Sequence, residues 1–188
     1  MDADVCSNES KLIELMTRGV CQAETAQITT QPSCSLLPNL FSCVINYLCS
    51  QDVYCGSQDL YNVLLKNKEI IQILLKLDVN TCNEMVFSSA CSEVNIYNCL
   101  ESKCSATSPS TDPHSCKFYK DTLNCTATKL GSHGYHNCTS TDMLTSLKSS
   151  TGILPTDFDI NTCSGVFKIR YLDKNRELKS RDPAAAIR

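Results

Sequence analysis

The sequence predicts an all-α, disulfide-rich bundle of about five to six helices around a central helix near residues 57–78, with a short extended C-terminal arm. Three observations carry that expectation. Fourteen of the 188 residues are cysteine, an even number, and no Cys-x-x-Cys pair occurs among them. Metal-holding cysteines in cytosolic chains favour such pairs, so the economical reading is seven disulfides formed in an oxidising compartment. Apolar residues recur at helical spacing in several segments, with proline or glycine near their ends. Finally, the stretch Ser57–Asp78 lies in the widest cysteine gap, between Cys55 and Cys82, and holds the densest aliphatic run, Ile70 to Leu77.

The first helix is expected over about Glu9–Ile28, where Leu12, Leu15, Met16 and Val20 form an apolar stripe. A loop with Pro32 follows. The second spans about Pro38–Ser50, with Pro38 in the first turn and Leu37, Phe41, Val44, Ile45 and Leu48 on one face. The central helix, Ser57–Asp78, starts after Gly56 with Ser57 as its cap. Its second half is apolar nearly all round, so it wants partners on several sides. Lys66, Asn67, Lys68, Glu69 and Lys76 interrupt it too often for a membrane span.

A fourth helix is expected from Cys82 to about Cys104, broken near Val94-Asn95, with Thr81-Cys82-Asn83-Glu84 as a capping box. Ser105–Pro113 reads as a linker. The fifth helix runs over about Ser115–Leu130 and stops at Gly131, and the sixth over Thr141–Ser149. Gly165–Leu172 alternates as a strand or extended arm would. The organisation expected is one helical domain over 1–165, with sub-modules 1–104 and 114–165 on either side of the 105–113 linker, then a basic arm over 166–188. The final residues, Ser180–Arg188, read as an addition from expression, as does Met1 ahead of Asp2-Ala3-Asp4, a start that fits a mature chain whose export signal has been removed.

All fourteen cysteines are assigned to disulfides: Cys6, Cys21, Cys34, Cys43, Cys49, Cys55, Cys82, Cys91, Cys99, Cys104, Cys116, Cys125, Cys138 and Cys163. Connectivity stays open, since about 135,000 pairings are formally available. The spacing C-x8-C recurs at Cys34/Cys43, Cys82/Cys91 and Cys116/Cys125, with a third cysteine after each pair at Cys49, Cys99 and Cys138. Nine residues along a helix turn a side chain by about 900°, which sends the two cysteines to opposite faces. The linker leaves ten cysteines before it and four after, which permits two closed modules.

Three sequons agree with export: Asn8-Glu9-Ser10, Asn124-Cys125-Thr126 and Asn137-Cys138-Thr139. Asn8 is the strongest, because a cysteine occupies the middle position of the other two. The net charge of −3 argues against general nucleic-acid affinity.

Candidate chemistry is sparse. His133, His136 and Cys138 are of metal-ligating type, but a thiolate there would strand a cysteine elsewhere, so an exposed polar loop is expected. Asp157, Asp159 and Asn161 begin a calcium-loop pattern that fails at Thr162 and Lys168, so turn chemistry is expected. No Gly-x-Ser-x-Gly, His-Glu-x-x-His or phosphate loop occurs. No metal, cofactor or catalytic residue is therefore assigned. The expected function is that of a secreted, glycosylated, non-enzymatic protein binding an extracellular or cell-surface protein. The alternative is a carrier of a small hydrophobic ligand held by Leu64, Ile70, Ile71, Leu74 and Leu75. A secreted hydrolase is the third reading.

Overall fold

The architecture is all-α and disulfide-rich. The computed structural model describes residue 6 and residues 8–106, 112–149 and 154–163. Among these residues are eight α-helices: α1 Glu9–Arg18, α2 Gln22–Thr30, α3 Leu37–Ser50, α4 Ser57–Lys66, α5 Lys68–Leu75, α6 Val94–Ser105, α7 Cys116–Ser132 and α8 Ser140–Ser149. The arm expected at 166–188, and the strand at 165–172 within it, lie outside the described residues, as do 107–111 of the expected linker.

The helices beyond the expected five or six come from two breaks. The first helix divides at Gly19, where a Cβ would press on the backbone of Leu15 at 2.8 Å, and Cys21 is then tied to Cys43. The central helix divides at Asn67. Its amide Nδ2 donates to Val63 O at 2.9 Å and to Glu9 Oε2 at 3.0 Å, so the side chain ends α4 and anchors α1 at once. α5 then stops at Lys76, which is left-handed at φ 57°, short of Asp78. No helix starts at Cys82. Thr81 gives its hydroxyl to Asp78 O at 2.6 Å inside a 3-10 turn, Val79–Cys82, and Glu84 is exposed. The helix expected there is only α6, entered through a second 3-10 turn at Ala90–Ser92.

The seven disulfides resolve into a repeat. With Cys49 and Cys99 set aside, the first six cysteines pair as Cys6–Cys55, Cys21–Cys43 and Cys34–Cys82. The last six pair as Cys91–Cys138, Cys104–Cys125 and Cys116–Cys163. In each half, taken in chain order, the first joins the fifth, the second the fourth and the third the sixth. The sequence separations are 49, 22 and 48 in one half and 47, 21 and 47 in the other. Cys49–Cys99 alone connects the halves. Cys34/Cys43 and Cys116/Cys125 are thus equivalent pairs, whereas Cys82/Cys91 straddles the boundary. The crosslinks also ignore the 105–113 segment, which both Cys91–Cys138 and Cys104–Cys125 span.

Local structure repeats with the cysteines. α1 and α6 each begin three residues after the first cysteine of their half, α4 and α8 two residues after the fifth. At the start of α4, Gly56 N–H donates to Asp59 Oδ2 at 2.8 Å; at the start of α8, Thr139 N–H donates to Asp142 Oδ2 at 2.9 Å. Each half closes on the same turn, Asp78-Val79-Asn80-Thr81-Cys82 and Asp159-Ile160-Asn161-Thr162-Cys163. In the first, Asn80 Nδ2 donates to Asp78 Oδ1 at 2.9 Å; in the second, Asn161 Nδ2 donates to Asp159 Oδ1 at 2.9 Å. Thr162 gives its hydroxyl to Asp159 O at 2.7 Å, as Thr81 does to Asp78 O.

Between the halves, α3 packs on α6, and Asn95 Nδ2 donates to Ser42 Oγ at 3.1 Å. Glu93 is buried, and its carboxylate accepts from Asn95 N at 3.4 Å and from Ser57 N at 3.2 Å, so it caps α6 and α4 together. One continuous apolar core runs through both halves, from Leu12 to Ile160.

Candidate functional site

The five residues expected to hold an apolar ligand separate. Leu64, Ile71 and Leu75 are fully buried in the core, Leu74 is half-buried, and Ile70 is 51% exposed. Ile73, 78% exposed, joins Ile70 on the outer side of α5. The periodicity of KEIIQILL did not separate inward from outward residues, because five of the eight are aliphatic.

α5 packs against α2, and the two together form a layer that has no counterpart among the described residues of the second half. α2 occupies the interval between the second and third cysteines of its half, and α5 that between the fifth and sixth. Along α2 runs an open groove of about 400 Å³, lined by Ala23, Ala26, Gln27, Thr30, Gln31 and Leu36. None of these side chains is charged. α2 was hidden inside the expected first helix, and its outer face has no apolar stripe that would have marked it.

The histidine loop is structural. Cys138 is bonded to Cys91 and is no thiolate. His133 lies with Nδ1 2.8 Å from Lys129 O and its ring edge-on to Tyr54, centroids 4.8 Å apart, while His136 is exposed. Tyr135 donates its hydroxyl to Tyr54 O, closing the loop onto the first half. Burial pushes the Tyr135 phenol up to about 12, helped by the Asp59 charge. Tyr54 is also pushed up to about 12, by burial and then by its hydrogen bond to Asp52. Asp52 is held below the usual carboxylate range, first by the hydrogen bond from Lys103, whose Nζ lies 2.9 Å away.

His114 meets Asp157 at 3.0 Å and Asp112 at 3.5 Å on an exposed surface. Asp159 and Asn161, the remainder of the calcium-like pattern, form the closing turn of the second half. The one cluster of metal-ligating residue types among those described is Cys21, Glu24 and Cys43, and its two sulfurs are bonded to each other.

Of the sequons, Asn8 is exposed and caps α1, its Oδ1 accepting from Lys11 N at 3.2 Å. Asn137 is exposed in the loop before α8. Asn124 is half-buried within α7, and the hydroxyl of its sequon partner Thr126 is buried, donating to Thr122 O at 3.0 Å.

A second group of residues, unmarked by any motif, lies between α6 and α7. Tyr97 and Thr122 are fully buried, and neither hydroxyl has a hydrogen-bond partner. Glu101 stands one turn after Tyr97 on α6, half-buried, its carboxyl pushed up by burial. The Tyr119 phenol is pushed up to about 12 by burial and by the Glu101 charge.

No protein-family model matches the chain, and no curated protein or solved structure matches it either. Among the described residues no helix is long and apolar enough to cross a membrane. Seven intramolecular disulfides are the mark of an oxidising compartment.

Proposed function

We propose that the chain is an exported, glycosylated binding protein that acts without catalysis and engages an extracellular or cell-surface protein through the α2–α5 layer. The observation that carries this reading is the difference between the halves. On one repeated cystine framework, the first half alone shows the added layer among the described residues, with its uncharged groove and the exposed Ile70 and Ile73. Aliphatic side chains left in water on a rigid, crosslinked support offer contact area at low entropic cost.

The test is binding of the labelled chain to extracellular or cell-surface material, comparing the wild type with an Ile70→Asp/Ile73→Asp variant. Both positions are exposed, so stability should stay within about 0.5 kcal/mol, while binding should fall at least tenfold. Equal binding by the two chains would remove the α2–α5 layer from the reading.

Glycans are proposed at Asn8 and Asn137. Peptide mapping after expression through a secretory pathway should find both occupied and Asn124 bare. A fully occupied Asn124 would contradict this, since its side chain is half-buried on a helix tied down by Cys104–Cys125.

A carrier of a small hydrophobic molecule is the second reading, and the α2 groove favours it, because its volume falls within the roughly 300–1,000 Å³ of small-molecule sites. Native mass spectrometry after incubation with a fatty acid separates the two: a stoichiometric adduct supports the carrier. A hydrolase stands third, with exposed His114, which meets Asp157 and Asp112, supplying its histidine–carboxylate contacts among the described residues.

A further inference from the structure

Charge is missing from one part of the surface. Positions 19–51 hold a single charged side chain, Glu24, although charged residues make up 20% of the chain. The stretch is not hidden. α2 exposes Gln22, Ala23, Ala26, Gln27 and Thr30, and Gln31 is exposed just past its end. The preceding helix, α1, exposes Lys11, Glu14 and Arg18 instead. All of the exposed α2 residues but Gln22 line the open groove of about 400 Å³, together with half-buried Leu36.

The fold does not require this neutrality, because an exposed helix position tolerates a charge at little cost. α2 is fixed from its other side. Thr25 and Ile28 are buried, the Thr25 hydroxyl donates to Met16 O at 2.8 Å, and Cys21–Cys43 ties the start of the helix to α3. The outer face is therefore rigid, uncharged and shaped by something other than the core.

A surface that meets its own copy about a twofold axis must complement itself. A charged side chain near such an axis meets a like charge. Glutamine and threonine do not have this difficulty, since each can both donate and accept a hydrogen bond. Alanine and the exposed Ile70 and Ile73 of α5 can also meet themselves. A surface built for a different partner is free to use charge, because that partner can supply the opposite sign. Small residues recur at Ala23 and Ala26 on the groove side, which lets a second helix approach closely. Two copies of α2 running antiparallel would also set opposite ends of their dipoles together.

We infer that the α2 face is a self-complementary contact surface, on which a second copy of the chain seats its own α2 antiparallel. The twofold axis falls between Ala26 and Gln27. Ala23 of each copy then lies opposite Thr30 of the other, and Gln22 opposite Gln31, so small side chains face larger ones and amides face amides. The inference rests on the proposed role of the α2–α5 layer as an interaction surface and names the partner it takes.

The experiment uses the full chain in sedimentation equilibrium. The wild type should show a reversible monomer–dimer equilibrium at concentrations up to about 100 μM. Ala26→Glu and Ala26→Lys each place a charge beside its own copy and should weaken self-association at least tenfold. Mixed in equal amounts, the two variants should pair with a strength within about threefold of the wild type, because the charges beside the axis are then opposite. Only a surface that meets itself gives this rescue, and the rescue also shows that both variants are folded. A wild type that stays monomeric throughout overturns the inference. So does a dimer that both Ala26 variants leave intact, and so do two variants that fail to pair when mixed. The broader reading is decided separately: a monomeric chain whose capture by extracellular material still falls in the Ile70→Asp/Ile73→Asp variant rules out the second copy and keeps the layer as a surface for a different protein.

Discussion

Gly56→Ala is expected to cost about 3 kcal/mol of unfolding free energy, from overpacking together with lost hydrogen bonds. A Cβ at this position would stand within 2.5 Å of Ala90 N and Ser89 C, and closer still to Ser88 O. All three are backbone atoms, so no side chain can swing aside. The obstruction lies where the halves meet. Gln58 N–H donates to Ser88 O at 3.0 Å, Ser88 N–H to Ser57 Oγ at 2.8 Å, and Ser57 N–H to Glu93 Oε2 at 3.2 Å. Moving the 88–90 segment outward stretches this whole set. Asp59, whose pKa is raised by burial, keeps the lowering bond from the residue 56 N–H only if that backbone stays in place. Denaturant unfolding should show a lowered midpoint, and a change below about 0.5 kcal/mol would show that the segment yields freely.

Cys49→Ser/Cys99→Ser is expected to leave the other six disulfides in their native pairing, while costing up to about 4 kcal/mol by the loop-closure estimate for a 50-residue separation. The other crosslinks already shorten the loop, so the measured loss should fall below that ceiling. The reason the pairing survives is that the repeat contains no need for this bridge: Cys49 corresponds to Gly131 on α7, and Cys99 to Glu14 on α1. Removing Cys34 and Cys82, by contrast, should disturb a bridge that each half possesses, and the first half's pairing with it. Non-reducing peptide mapping separates the outcomes. Scrambled bridges in the Cys49/Cys99 variant would show that the halves depend on the link between them.

Much of the fold was legible in the chain. α3, α7 and α8 were expected within a residue or two of their observed limits, because each has a proline, linker or glycine at an end and a clear apolar face. The breaks were harder to foresee. Asn67 divides the central stretch through a bond to Glu9, 58 positions away, and no local pattern shows that. Helix was expected after Cys82 because Thr81 and Glu84 match a capping box, yet Asp78 captures Asn80 and Thr81 first. The repeat was written in the sequence, as Asp-Val-Asn-Thr-Cys and Asp-Ile-Asn-Thr-Cys, but cysteine spacing alone drew attention to C-x8-C and so to Cys82/Cys91, which belong to different halves. The α6–α7 polar group carries no motif.

The nesting of the bridges has a consequence for how the protein is made. A chain emerging from its N-terminus delivers all three first-half pairs once Cys82 has appeared, before any second-half cysteine exists. With Cys49 and Cys99 set aside, oxidation therefore divides into two successive problems of about 15 pairings each, whereas all fourteen cysteines together allow about 135,000. One thiol stands outside this schedule. Cys49, fifth in chain order, is the odd thiol beside a set of six that completes itself, and it waits unpaired until Cys99 arrives 50 positions later. Mispairing during biosynthesis should therefore concentrate on this single sulfur, and an isomerase or a mixed disulfide captured on the nascent chain should be found there first.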